Sequence, residues 1–299
     1  MSGATAESRR GVASRVGMGA RRMARAGAVR CYRTTSGVRP APDFIVIGAQ
    51  RAGTTSLFRA LSAHPGVLTP VLGTKGVHYF DTSYDKPLDW YLAHFPTTFA
   101  RRLASRRLGV PVVSGEASPY YVFHPAGPAR IAKDLPGTRL IIMLRDPVIR
   151  AHSHYHHMVF EGHESASTFE EAINLEPTRL KGEEERLLAD PGYVSKHHQH
   201  HSYLARGDYA RQLKRLQPLF PPEQILVLDS HRFFAEPREG LARVVGFLGL
   251  SADPAVSFRA LNSGTYPQML PETRRRLSEH FTASDLELAG LLGWTPSWR

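Results

Sequence analysis

The sequence predicts an α/β fold of three layers, with a central, mainly parallel sheet flanked by helices. Three observations predict it. Ile45-Val46-Ile47, opened by Asp43-Phe44 and stopped by Gly48, is an apolar, β-branched run suited to a strand buried on both faces. Arg139–Leu144 is a second such run, and Arg145-Asp146-Pro147 ends it with proline placed at the first position of a helix. Around these two runs, strand-like and helix-like stretches alternate, the pattern of parallel βαβ units.

The elements follow in order. Residues 54–63 read as a helix ending before His64-Pro65-Gly66, and 76–81 as a short strand with an acidic end. Leu88–Phe95 reads as an aromatic helix stopped by Pro96, and Pro111–Glu116 as a strand ending in a carboxylate. A short helix is expected over 125–134, another from Pro147 to about Met158, a strand over Ile225–Leu228 and a helix over 238–248. Residues 161–206 are polar and read as irregular, the expected cap or substrate loop. No internal repeat is present.

The chain has 299 residues and a net charge of +11. That charge invites a nucleic-acid reading, but its distribution argues against one. Residues 1–42 hold nine arginines and a single acid, Glu7, whereas the rest of the chain is close to balance, with 29 basic and 26 acidic residues. The expected organisation is a disordered, Arg-rich tail over 1–42 and one catalytic domain over 43–299. The tail has no apolar core segment, so neither a membrane span nor a secretory signal is expected. Its arginine-rich, acid-poor character also fits an organellar transit peptide, although a cytoplasmic extension is the simpler expectation. The single cysteine, Cys31, excludes an internal disulfide framework and fits a cytoplasmic setting.

The chemistry begins after the first strand. Gly48–Ser56 has the G-x4-G spacing of a P-loop, and it leads from a strand into a helix. Backbone N–H groups of such a loop, with the helix dipole behind them, bind phosphate or sulfate. Thr54 stands where a nucleotide triphosphatase carries lysine, so the positive charge lies inside the loop, at Arg51. Ala52, Gly53, Thr54, Thr55 and Ser56 complete the anion cradle. An ordinary tight βα turn would need the same glycines for backbone geometry alone.

Four blocks together resemble the sulfotransferase family, in particular its carbohydrate branch with the heparan sulfate sulfotransferases. They are Gly48–Ser56, Lys75–Asp81, Leu140–Ser153 and Asn262–Met269, with Glu116–Tyr121 also fitting. The first and third, roughly 90 residues apart and in order, carry most of the specificity. The resemblance covers about residues 43–294. It implies 3′-phosphoadenylyl sulfate (PAPS) as co-substrate, with no metal. By the resemblance the first block holds the 5′-phosphosulfate, Arg145 and Ser153 hold the 3′-phosphate, and Ser263, Gly264 and Thr265 lie in a C-terminal loop that touches the donor. The bottom-up alternatives are an ion pair of Arg145 with Asp146 or another acid, and a Ser153 hydroxyl spent within its own helix. The implied partner is a carbohydrate, glycolipid or small-molecule acceptor offering a hydroxyl or an amine.

Departures from the family pattern shape the catalytic assignment. Arg51 replaces a lysine, which keeps the charge but not a transferable proton. Gly76 replaces the glutamate that relatives carry two residues before the histidine. His78 becomes the first candidate for general base, and Glu116 the second. His78 also reads as a hydrogen-bonded core histidine. Ala117 and Asn262 each replace a lysine of the relatives. Histidines 152, 154, 156, 157, 197, 198, 200 and 201 cluster without an H-E-x-x-H pattern, so they suit an acceptor cleft better than a metal. Two other readings remain at this point: a P-loop kinase or hydrolase, and an inactive PAPS-binding homologue.

Overall fold

The structure, a computed structural model, describes residues 26–73, 75–253, 256, 258 and 267–299. Its centre is a five-stranded sheet in the order β2-β3-β1-β4-β5. The strands are β1 (Phe44–Gly48), β2 (Val67–Leu68), β3 (Val113–Ala117), β4 (Arg139–Leu144) and β5 (Ile225–Asp229). Every pairing is parallel. All residues of β1 and β3 are buried, as are those of β4 after Arg139, so both faces of the sheet are covered.

Chain direction places the cover. From β1 the chain runs outward to β2 through helix Thr54–Ala63; from β3 it runs the opposite way to β4 through helix Gly127–Asp134. Right-handed crossovers in opposite directions lie on opposite faces. Thr54–Ala63 accordingly packs with Pro237–Phe247, and Gly127–Asp134 with Tyr209–Leu216, which in turn carries Thr282–Leu292. The predicted three-layer architecture is therefore the observed one.

Register decides which loops meet. Phe44 pairs with both Gly115 and Arg139, and Leu144 pairs with Asp229. Loop 49–53, residues 117–119, Arg145 and Ser230 thus all leave the sheet at one edge, the carboxyl ends of the strands. The order reverses at β1, between β3 and β4, where open α/β sheets bind their ligands.

Three expectations need correction. Residues 76–81 form no strand: the backbone turns at His78, in the left-handed region, and enters a helical turn, Tyr79–Thr82. Its N–H groups are taken by side chains instead of a ladder. Val77 N donates to Glu116, His78 N to the Ser118 hydroxyl and Tyr79 N to the Tyr121 hydroxyl.

The stretch 161–206 is helical, with Phe169–Leu180, Glu183–Ala189 and Lys196–His200. Thr168 and Glu171 form a reciprocal capping box: the Thr168 hydroxyl accepts from Glu171 N, and the Glu171 carboxylate accepts from Ser167 N, one residue before the usual partner. Phe169, Ala172 and Ile173 bury one face of that helix. This cap was visible in the sequence, but the run of polar residues masked it.

The tail is not uniformly without structure. Residues 26–33 are helical, and Val29 is buried. Arg33 forks onto the Asp89 carboxylate at 3.1 and 3.0 Å, and the buried Arg39 guanidinium donates to the Phe95 carbonyl. The fold therefore extends N-terminal to residue 43. Residues 1–25, where disorder was also expected, lie outside the described residues. No helix among the described residues is long and apolar enough to cross a membrane.

Candidate active site

A cleft of about 810 Å³ opens at the carboxyl edge of the sheet. Loop residues Gln50–Ser56 form one wall, and Lys75, Gly76, His78, Ala117 and Pro119 another. Arg145, Asp146, Ile149 and His157 close it from the β4 side, and Ser230, His231, Phe234, Ser297 and Trp298 from the far end.

The loop owes its shape to two left-handed residues. Gly53 has φ +100°, and a Cβ there would lie 2.7 Å from the Phe234 ring. Arg51 has φ +70° despite carrying a side chain. The second non-glycine residue in that region is His78, at φ +56°, on the other wall of the same cleft. Such positions are costly, and they concentrate where function fixes the backbone.

Arg51 is held on both sides. Its carbonyl accepts from Arg145 Nη1 at 3.0 Å, and its Nε donates to Ser153 Oγ at 3.2 Å. Arg145 therefore comes to the loop as well as to the cleft. Ser153 is buried and spends its hydroxyl on Arg51, so it lies behind the cleft wall and not in it. Asp146 caps helix Pro147–Phe160 by accepting from Val148 N and Ile149 N.

The opposite wall carries two cationic or titratable groups. Lys75 Nζ donates to the hydroxyls of Thr54 and Thr55, at 3.1 and 2.9 Å. Burial lowers its ammonium pKa and Arg51 adds repulsion; Glu116 partly offsets both, and the result is about 8. His78 Nδ1 lies 2.8 Å from Asp81 Oδ2. The imidazole is 44% exposed, whereas the Asp81 side chain is fully buried. Burial opposes charge on the ring, but the Asp81 carboxylate outweighs it, and the His78 pKa is raised.

Glu116, the expected second base, is displaced from that role by its surroundings. It is fully buried and does not line the cleft. Oε2 accepts from Val77 N and Ser118 Oγ, both at 2.7 Å; Oε1 accepts from the hydroxyls of Tyr91 and Tyr121, at 3.1 and 3.0 Å. Burial raises its pKa, and the donated bonds pull in the opposite direction. Four donors leave the carboxylate no open position toward an acceptor, and they make it the anchor of the turn that carries His78.

Gly76 is explained by the same packing. A Cβ at this position would lie 2.6 Å from the Ala117 carbonyl oxygen and 2.7 Å from Ser118 Oγ. With backbone so close, a side chain has no room on this turn.

Ser263, Gly264 and Thr265 lie outside the described residues. Of the histidines, His157 lines the cleft. His152 pairs with His156 and His197 with His201, each with ring nitrogens 3.0 Å apart. Among the described residues, no group of three or more potential ligands is placed to hold a metal ion.

Sequence reasoning assigned no role to Lys75, Phe234 or Trp298. Lys75 opened one of the quoted blocks, which was its only signal. Trp298 reaches the cleft because its indole donates to Asp285 at 3.1 Å while Ser297 is tied to Asp229 by its N–H and its hydroxyl.

The sulfotransferase domain family matches residues 41–282. The chain belongs to the sulfotransferase family. A crystal structure of a sulfotransferase from Alicyclobacillus acidocaldarius superposes with a TM-score of 0.61 and 30% identity, covering 87% of this chain and 98% of that one. The human heparan sulfate glucosamine 3-O-sulfotransferase 3B1 is 28% identical over 287 residues, 88% of this chain and 66% of the relative. The mouse bifunctional heparan sulfate N-deacetylase/N-sulfotransferase 4 is 29% identical over 86% of this chain and 31% of its own length. The chain thus spans between about a third and two thirds of these two curated relatives.

Proposed function

We propose that this sulfotransferase moves the sulfuryl group of PAPS to a hydroxyl of a carbohydrate acceptor, with His78 as general base. The carrying observation is the pairing of a buried Asp81 with an exposed imidazole on the cleft wall opposite the anion loop. The curated relatives named above act on heparan sulfate, one of them on its glucosamine, and this supports a carbohydrate acceptor.

The cleft suits a donor with an anion at each end. Loop N–H groups, Arg51 and the hydroxyls of Thr54, Thr55 and Ser56 surround one end. Arg145 provides a permanent forked charge for the 3′-phosphate. The assignment of Ser153 requires its hydroxyl to leave Arg51 or to bridge. Phe234 and Trp298 supply aromatic walls for the adenine.

Sulfuryl transfer needs in-line geometry and charge stabilisation, with little covalent work for the protein. The acceptor oxygen attacks sulfur, and its proton passes to His78 Nε2, because Nδ1 is committed to Asp81. The bond from sulfur to the 5′-phosphate oxygen breaks, that oxygen keeps the electron pair, and adenosine 3′,5′-bisphosphate (PAP) leaves. Arg51 stabilises the charge that develops there.

The test is transfer of radiolabelled sulfate from PAPS to a panel holding an unsulfated glucosamine-containing polysaccharide, chitin oligosaccharides and p-nitrophenol. Labelled polysaccharide is expected. Label on p-nitrophenol alone would overturn the acceptor class, and Mg²⁺-dependent ATP turnover without PAP binding would overturn the reading as a whole.

A further inference from the structure

We propose that Lys75 is a catalytic residue, the cation that hydrogen-bonds the bridging oxygen of the donor as the sulfur–oxygen bond breaks. The inference rests on the donor reading above and adds a residue to it. Three observations carry it. Lys75 reaches the loop from another part of the chain, 20 and 21 residues beyond the hydroxyls it contacts. It lines the same cleft as Arg51 and the N-terminus of helix Thr54–Ala63. That helix has Gly53 at its N-cap, with no side-chain cap, and its positive end faces the cleft.

Geometry separates the two cations. Arg51 is tethered from behind: its Nε is spent on Ser153, and its carbonyl on Arg145. Lys75 holds only hydroxyls, and each of these can turn to donate to a phosphate oxygen while Nζ does the same. An ammonium is a compact donor that follows charge as it moves, which suits an oxygen changing from ester to anion. A lysine also has a transferable proton at accessible pH, and an arginine does not.

The step balances as follows. The acceptor oxygen forms the new bond to sulfur and loses its proton to His78. The electron pair of the broken bond remains on the bridging oxygen, now a terminal oxygen of the 5′-phosphate, with the Lys75 N–H directed at it. Lys75 begins and ends the cycle protonated.

The pH dependence follows from the environment of Nζ. Arg51, Glu116 and, when protonated, His78 are the charged groups that act on it, together with the neutral hydroxyls of Thr54 and Thr55. Burial and Arg51 hold its pKa near 8 in the free enzyme, so kcat/KM for PAPS should fall as pH rises through that value and the charge is lost, while the anions of bound PAPS move the corresponding limb of kcat to higher pH.

The experiment compares wild type with Lys75→Met and Lys75→Arg. It measures sulfate released from limiting and saturating PAPS, to water or to the glucosamine-containing polysaccharide, between pH 6 and 10, giving kcat/KM and kcat, and PAP binding by calorimetry. Lys75→Met should lower kcat by about 100-fold or more, the usual loss for one preorganised donor, while the KM for PAPS, whose bridging oxygen is not yet an anion, changes by less than about tenfold. Lys75→Arg should keep more activity than Lys75→Met and lose the alkaline limb near pH 8. A merely structural tether would instead lower thermal stability and leave kcat near wild type, which overturns the proposal. A rise in the KM for PAPS as large as the loss in kcat, or an alkaline limb of kcat/KM that persists in Lys75→Arg, would overturn it too. If wild type releases sulfate and Lys75→Met matches it, only this inference fails; if wild type neither binds PAP nor releases sulfate, the donor reading fails with it.

Discussion

Loop 48–56 and turn 75–82 face each other across one cleft, but they are held in place by different means. The loop takes its course chiefly from its immediate neighbours, a buried strand ahead of it, a helix behind it and a glycine with φ +100° at the junction, and Arg145 and Ser153 brace Arg51 within it. The turn depends on residues 39 to 42 positions downstream, where Glu116, Ser118 and Tyr121 take the N–H groups of three successive residues. Around them Tyr79, Phe80, Tyr91 and Tyr121 pack with neighbouring ring centroids between 4.9 and 5.4 Å apart. A locally determined element tolerates change elsewhere in the fold. An element built by distant groups is lost when any one of them goes.

The largest effect should therefore come from Glu116, which does no chemistry in this scheme. Glu116→Ala orphans four buried donors and opens a cavity, and the loss of stability should be about 4 kcal/mol in urea titration. The comparison breaks if stability falls by less than about 1 kcal/mol while turnover collapses, because the carboxylate would then be acting on substrate and not on the turn.

His78→Ala should leave the fold intact and lower kcat by about 100-fold or more, roughly 2.7 kcal/mol in the barrier. PAP affinity should hardly change, because the donor sits on the other wall. If the variant keeps its turnover and loses only thermal stability, His78 belongs to the core and the acceptor is ionised by another group.

These two residues also mark how far the sequence could be read. The β1-loop-helix unit, and β4 with the helix after it, were legible, because apolar runs, glycines and a helix-starting proline report local geometry directly. Arg51, Thr54 and Thr55 were legible for the same reason. The roles of Glu116 and Lys75 were not. Glu116 ends an apolar strand just as an active-site carboxylate would, and only the position of Tyr91, Tyr121 and Val77 around it shows that it is enclosed. Lys75 meets Thr54 and Thr55 through a tertiary contact that no spacing encodes. Similarly, Gly76 looked like the loss of a catalytic carboxylate; the Ala117 carbonyl beside it shows that the backbone has closed over that position.

Arg145 tests the loop side of the comparison. Arg145→Ala should weaken PAP binding by about 2 kcal/mol, the cost of a charge-assisted phosphate contact. Because Arg145 Nη1 also braces the Arg51 carbonyl, binding of adenosine 5′-phosphosulfate should weaken as well, by a smaller amount. Calorimetry that shows equal losses for the two ligands would assign Arg145 to the brace alone and remove it from the 3′-phosphate.

The smallest effect, and the most specific, belongs to Asp81. Its Oδ1 accepts from Thr82 N at 2.6 Å, and an asparagine can keep that bond, so Asp81→Asn should fold normally. What it removes is the negative charge beside His78 Nδ1. Burial by itself lowers the imidazole pKa; Asp81, with a smaller contribution from Glu116, raises it above the ordinary value. A general base works in its neutral form, so kcat/KM rises as pH climbs through the His78 pKa. Without the carboxylate that acid limb should move to lower pH, while the plateau falls about tenfold because the ring is less basic and less firmly oriented. Stability should change with the same sign: protonation of His78 stabilises wild type at pH values below its unfolded pKa, and that contribution, lost as pH rises through the folded value, should shrink in the variant. Profiles of kcat/KM between pH 5 and 8 decide the matter. A limb that stays where wild type has it would mean that the titrating base lies outside the 75–82 turn, and the acceptor wall of the cleft would need a different occupant for that role.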